Sequence, residues 1–154
     1  MTPDQLSRPL VREAPLLRRD ESVGAAVKKI VESDLPALPV VDGEDHLVGI
    51  FGEREFMAAL FPGYLKELRY AGFVPATLDE AIDKRAACRN EAVGDHVYSE
   101  HIDVPIDFSD AQVAETFLHH RVLIVPIVDS RRVTGIITRA DFFHRLAERF
   151  LESC

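Results

Sequence analysis

The sequence predicts a mixed α+β fold made of two β-α-β-β-α units that pack together about a pseudo-twofold axis. The main observation is an internal repeat. The segment LPVVD at 38–42 returns as VPIVD at 125–129, and LVGIF at 47–51 returns as VTGII at 133–137. One unit cannot cover its own small sheet, so the two sheets are expected to bury each other.

Each unit is predicted to begin with a short extended segment, at 15–17 in the first unit and at 102–104 in the second. A serine that can cap a helix follows each of these segments. In the first unit the serine is Ser22, which precedes an apolar stripe of helical period. In the second unit Ser109 and Gln112 have the spacing of a capping box.

Two β-branched runs joined by a polar turn come next in each unit, and the turns are predicted at 42–43 and at 129–130. A closing helix then carries an apolar face, which starts at Phe56 in the first unit and at Phe142 in the second. The order strand, helix, strand, strand, helix is therefore the same in both units.

The first unit covers residues 6–60 and the second covers 93–150, which leaves an insert at 61–92. Proline and glycine break the chain twice in this insert, and Thr77 and Glu80 have capping-box spacing. We expect two short helices there. They either pack on the edge of the module as a structural insert or cover a site as a lid.

The composition is that of an ordinary globular protein, with 154 residues, 47% hydrophobic and 29% charged. The net charge of −8 argues against nonspecific binding to nucleic acid or to an acidic membrane surface. A phosphate-bearing ligand would therefore need a local cluster of arginines or lysines.

The chain carries no feature that predicts catalysis, metal binding or export. Cys88 and Cys154 form no C-x-x-C pair and have no activating neighbour, and His96 and His101 are poorly spaced for a metal. No P-loop or G-x-S-x-G motif occurs, and no signal sequence or membrane-spanning run is present. We expect a cytoplasmic protein that is not an enzyme.

The stretch GIITRAD at 135–141 allows two interpretations. Thr138 and Asp141 have the spacing of a capping box, which would need no ligand. Alternatively, a strand that runs into a helix N-terminus presents free N–H groups to an anionic ligand, and a carboxylate there can accept ribose hydroxyls. Gly135 would let the backbone approach such a ligand closely.

Taken together, LPVVD…LVGIFGEREF and VPIVD…VTGIITRADF resemble the cystathionine-β-synthase (CBS) domain family, as the tandem pair called a Bateman module. The resemblance covers about residues 6–150, except for the insert. It implies two CBS repeats with a cleft between them and a regulatory role without catalysis. The implied ligand is an adenosine-containing small molecule (AMP, ADP, ATP or S-adenosylmethionine), and the implied assembly is a homodimer that modulates an unidentified protein partner. The alternative is a dimerisation or protein-interaction module that binds no ligand.

The resemblance also implies where the ligand lies. Asp141 corresponds to the family's ribose aspartate and Thr138 to its phosphate-side hydroxyl, while 102–104 frames the base beside an apolar wall. Arg139 is the nearest charge that could offset the nearby aspartates, and Arg54 and Arg121 are further candidates. The predicted ligand-binding residues are Ile102, Asp103, Val104, Val125, Pro126, Thr138, Arg139 and Asp141.

The first motif departs from the family pattern. Gly52 stands in place of the hydroxyl residue, Glu55 in place of the aspartate, and Leu16 in place of the polar Asp103. Glycine can still cap a helix, so the fold tolerates the change. We expect the first site to be degenerate or empty and the second motif to hold the ligand.

Overall fold

The structure is a computed structural model that describes residues 5–61, 78–100 and 102–153. The first repeat has the predicted order of elements: β1 (Leu17–Arg18), α1 (Val23–Ser33), β2 (Ala37–Val41), β3 (Leu47–Gly52) and α2 (Glu53–Leu60). The second repeat has the same order: β4 (Val104–Pro105), α4 (Asp110–His119), β5 (Ile124–Asp129), β6 (Arg132–Thr138) and α5 (Arg139–Glu152). The predicted mixed α+β fold with two β-α-β-β-α repeats is confirmed.

Between the repeats the described part of the insert contains α3 (Leu78–Arg85) and a 3₁₀ turn at Ala86–Asn90, and a second 3₁₀ turn follows at Val93–His96. The helix that Glu80 helps to predict is therefore present. The other predicted helix and the capping role of Thr77 fall outside the described residues.

Each repeat forms its own three-stranded sheet, in the orders β1-β2-β3 and β4-β5-β6. In each sheet the short leading strand runs parallel to the middle strand, and the hairpin is antiparallel. The leading strands begin two residues later than predicted, because their ladders start at the pairs Leu17–Val40 and Val104–Ile127. Ile102 and Asp103 therefore precede the strand that they were expected to form.

Both hairpin turns are defined by residues with left-handed backbone conformation. In the first hairpin the left-handed residue is Asp45, with φ 65°, and the side chain of Asp42 accepts hydrogen bonds from two N–H groups of the loop. In the second hairpin Ser130 and Arg131 both have positive φ, the conformation that a two-residue hairpin turn of type I′ requires. The first predicted turn, 42–43, therefore lies within the observed loop, whereas the second turn comes one residue later than predicted.

Two apolar clusters hold the module together. The larger one joins the repeats, since Leu38 and Ile50 of the first pack with Ile124 and Ile136 of the second, all at most 1% exposed. The smaller cluster lies within the second repeat, beneath α4 and α5. Burial of each such side chain contributes roughly 1.5–3 kcal/mol, so the shared cluster makes each repeat depend on the other.

The two repeats also exchange the segments that precede β1 and β4, which we call the leading segments. Arg12, which precedes β1 in the first repeat, donates its backbone N–H to the Ile136 carbonyl (2.9 Å) and accepts from the Ile136 N–H (2.8 Å) on β6 of the second repeat. Tyr98, which precedes β4 in the second repeat, makes the same pair of backbone bonds with Ile50 on β3 of the first, at 2.9 Å in both directions. Each hairpin's outer edge is thereby covered by chain from the opposite half, as the pseudo-twofold relation requires.

Candidate ligand site

Thr138 ends β6 and caps α5. Its backbone is extended, its side chain is buried, and its hydroxyl accepts a hydrogen bond from the N–H of Asp141 at 3.1 Å. This interaction satisfies one of the four N–H groups that a helix leaves free at its first turn. The capping interpretation of Thr138 is therefore correct, although a cap can also contact a ligand.

Asp141 is held by an arginine from the leading segment. Its Oδ2 atom accepts from Arg12 Nε at 2.8 Å and lies 2.7 Å from Arg12 Nη2. Its Oδ1 atom has no hydrogen-bond partner among the described residues. The carboxylate thus does not fill the second half of a capping box; it joins α5 to the exchanged leading segment.

The other predicted residues fall into two groups. Ile102, Val104, Val125 and Pro126 are buried, and Val104 and Val125 pack in the smaller core cluster. Asp103 and Arg139 are exposed. The structure therefore brings Thr138 and Asp141 together at one helix N-terminus, whereas Val104 and Val125 lie in the core beneath it. A ligand could touch Val125 only if its neighbours moved.

Gly135 does allow a close approach, but from protein rather than ligand. A Cβ atom at this position would lie 2.7 Å from Val11 Cγ1 and 2.9 Å from the Arg12 carbonyl oxygen. The leading segment occupies the space that the sequence suggested for a ligand. This expectation was wrong, because the sequence does not show which distant segment pairs with β6.

At the first motif the glycine has a packing cause. A Cβ atom on Gly52 would lie 2.4 Å from the Cβ atom of Ala37 and 2.5 Å from the Pro36 carbonyl oxygen. A hydroxyl residue therefore does not fit here. Glu55 completes the helix cap instead, since its Oε1 accepts from the Gly52 N–H at 2.9 Å. Burial raises the pKa of Glu55, and its hydrogen bonds only partly offset that effect.

A cleft of about 650 Å³ opens beside this first motif, between α2 of the first repeat and the C-terminal end of α4 in the second. Three arginines from separate parts of the chain line it: Arg54 at the start of α2, Arg85 at the end of α3, and Arg121 after α4. Arg54 and Arg121 were predicted as further counter-charges for the second motif. The structure places both at the first motif and adds Arg85.

The aromatic side chains of Tyr98 and His96 also line this cleft, and a hydrogen bond holds each of them in place. Tyr98 Oη lies 2.8 Å from His120 Nδ1, and burial together with the carboxylate of Glu100 raises the pKa of Tyr98. His96 Nε2 lies 3.0 Å from Glu91 Oε1. The walls therefore combine a neutral phenol, an imidazole held by a carboxylate, and guanidinium groups. That set of groups suits a planar ligand that carries an anion.

Within residues 5–61, 78–100 and 102–153, no three His, Cys, Asp or Glu side chains are grouped so that they could hold a metal ion. His101 lies outside these ranges. No helix in the same ranges combines the length and apolarity that crossing a bilayer requires.

Comparison with known proteins agrees with this architecture. The family model for the CBS domain matches residues 8–62 and 98–148. Hypoxic response protein 1 of Mycobacterium tuberculosis is 26% identical over 128 residues, which span 83% of this chain and 75% of that protein.

Solved structures share the fold at lower identity. The CBS domain of a CBS domain-containing membrane protein from Sphaerobacter thermophilus has a TM-score of 0.67 and 21% identity, covering 91% of this chain and 86% of that one. The crystal structure of CBSX2 in complex with AMP has a TM-score of 0.64 and 19% identity, covering 94% and 97% of the respective chains.

Proposed function

Because the chain belongs to the CBS domain family, whose members are regulatory, we propose that it binds a phosphate-bearing adenosine compound and modulates a protein partner. The site is the cleft beside the first motif. One observation carries the proposal: a chain with a net charge of −8 gathers three arginines around this cleft. A phosphate ligand needs such a local cluster to overcome the overall charge.

The chemistry of the cleft favours a ligand with few phosphates. Guanidinium groups bind phosphate oxygens through paired, charge-assisted hydrogen bonds. Glu55 faces the same space, and Glu91 lies behind His96. These carboxylates repel a long polyphosphate, so an AMP-type ligand fits better than a triphosphate. The AMP bound to the structurally similar CBSX2 supports this ligand class.

The site predicted around the second motif is a second candidate. Thr138 and Asp141 lie together at the N-terminus of α5, and Asp141 keeps one oxygen without a partner among the described residues. A ribose at that carboxylate would have to displace or share Arg12. The two candidates therefore differ in which residues control affinity.

The proposed mechanism is a shift between two arrangements of the repeats. Both repeats contribute to the cleft, so a ligand that contacts α2 and the end of α4 favours the arrangement in which they lie closest.

A homodimer is also proposed, because Phe143, Phe150 and Leu151 on α5 are at least 63% exposed. Sedimentation velocity of wild type and Phe150→Ser tests the dimer, which the variant should weaken.

The test of function is a thermal-shift panel of adenosine, AMP, ADP, ATP, S-adenosylmethionine and NAD, followed by calorimetric titration of each stabilising compound. A ligand at 100 times its dissociation constant should stabilise the fold by about 2.7 kcal/mol. Arg121→Gln should weaken AMP binding, while Asp141→Asn and the surface control Arg149→Gln should not. The reverse pattern would favour the second motif, and a flat panel would favour the interaction module without ligand. Unchanged AMP after long incubation, measured by mass spectrometry, would argue against catalysis.

A further inference from the structure

Arg85 brings a positive charge into the cleft from outside the two segments that match the CBS domain. It is the last residue of α3, whereas the matches cover 8–62 and 98–148. We propose that Arg85 binds the phosphate of the ligand, so that the insert between the repeats distinguishes a nucleotide from its nucleoside. This inference rests on the proposed function and assigns a ligand contact to the insert.

The position of the guanidinium group is fixed by the end of α2. Arg85 Nε and Nη2 both donate to the carbonyl oxygen of Ala59, at 3.2 and 2.9 Å. That carbonyl belongs to the last turn of α2, where helix carbonyls lack partners within the helix. The bond therefore places the charge at the cleft wall without help from a ligand.

With respect to the described residues, the guanidinium group retains donors that can serve a ligand. It carries five N–H donors, and the two bonds to Ala59 leave both N–H groups of Nη1 without a partner among the described residues. The nearest carboxylate, Glu91 Oε1, is 3.7 Å from Nη2, beyond hydrogen-bond distance, and is already engaged by His96 at 3.0 Å. The Arg85–Glu91 pair is also partly exposed, so it holds the arginine only weakly.

A phosphate in the cleft would meet this group together with Arg54 and Arg121, which line the same walls. A phosphate dianion carries more charge than the single carboxylate of Glu91, which is shared with His96. The phosphate also offers several acceptor oxygens. Contact with Arg85 would link the ligand to α3 and, through Ala59, to the end of α2. The insert then becomes part of the element that responds to the ligand.

The experiment is calorimetric titration of AMP and of adenosine into wild type, Arg85→Gln, Arg85→Lys and Arg89→Gln. Arg89 is the matched control, because it lies on the same insert, is not among the residues that line this cleft, and donates to the Ala86 carbonyl. We expect Arg85→Gln to weaken AMP binding about tenfold, the effect of losing one charge-assisted contact, and to leave adenosine binding within about twofold. Arg85→Lys keeps the charge without the planar fork and should lie between the two.

The outcomes separate the inference from the function on which it rests. Equal AMP affinity in wild type and Arg85→Gln would overturn the inference and leave the proposed function intact. An equal loss of affinity for AMP and for adenosine in Arg85→Gln would also overturn the inference, because Arg85 would then only support α2. If wild type binds neither compound, both proposals fail. Thermal unfolding of each variant shows whether the fold is retained.

Discussion

The ion pair between Arg12 and Asp141 provides a quantitative test of the exchanged leading segment. The guanidinium contacts Oδ2 at 2.8 and 2.7 Å, and the two side chains are 47% and 29% exposed. A pair this exposed contributes about 0.5–1 kcal/mol to the free energy of unfolding. Asp141 also lies in the first turn of α5, where a negative charge adds about 0.3–1 kcal/mol.

These values predict the outcome of a double-mutant cycle. Asp141→Asn should lower the free energy of unfolding by about 1–2 kcal/mol, because it removes both charge effects while the backbone bond to Thr138 remains. Arg12→Gln should cost about 0.5–1 kcal/mol. The double variant should match Asp141→Asn, which gives a coupling energy of about 0.5–1 kcal/mol.

Urea denaturation followed by circular dichroism measures these energies at low salt and at 1 M NaCl, where screening should remove most of the coupling. The matched control is a cycle at Arg145 and Glu148, a pair on the solvent side of α5 at 3.5 Å. That cycle should give only about 0.2–0.5 kcal/mol. Additive losses for Arg12 and Asp141 at low salt would refute the assignment of this pair as a link between leading segment and helix.

Three further predictions follow from the same structure. Glu55→Gln keeps an oxygen for the helix cap and removes a carboxylate whose pKa is raised by burial. The variant should strengthen AMP binding, as measured by titration calorimetry. It should also raise the free energy of unfolding in urea at pH 7 but not at pH 3. Burial raises the pKa of Asp110, but hydrogen bonds from Ser7 and Leu6 outweigh this effect and leave the pKa lowered. The carboxylate therefore stabilises the fold above about pH 4, and this stabilisation is lost at lower pH. The difference in free energy of unfolding between wild type and Asp110→Asn, measured in urea, should shrink on acidification, and a constant difference would contradict this. Gly135→Ala should cost about 1–3 kcal/mol in urea unfolding by disturbing the two backbone bonds of Arg12, whereas Gly43→Ala, which meets no atom within 4 Å, should be close to neutral.

Local sequence signals predicted most of the fold. The helix caps at Ser22 and Ser109 form as expected, each accepting a backbone N–H three residues on. Both hairpins pair where the repeated motifs placed them, with Pro39 opposite Ile50 and Pro126 opposite Ile136. These features depend on residues that lie close in sequence, so the chain shows them directly.

The site was harder to predict because its charges come from distant segments. Arg12 is 129 residues from Asp141, and no local pattern indicates that they meet. Arg85 lies in the insert, which has no counterpart in the repeated motif. The sequence did indicate the need for clustered cations, and it named Arg54 and Arg121. It associated them with the second motif, whereas the structure places both beside the first. Which helix ends meet across the two repeats depends on how the two halves pack, and no local pattern shows this.

The exchange of leading segments explains why the two motifs have unlike surroundings. Tyr98 and Arg12 occupy the same position in the two halves, because they pair with Ile50 on β3 and with Ile136 on β6, two matching residues of the repeat. At the first motif this position holds a phenol that is hydrogen-bonded to His120, beside the arginines that line the cleft. At the second motif it holds an arginine that neutralises Asp141. Fold symmetry therefore supplies two equivalent positions. A phenol hydrogen-bonded to a histidine fills the first, and an arginine in an internal ion pair fills the second.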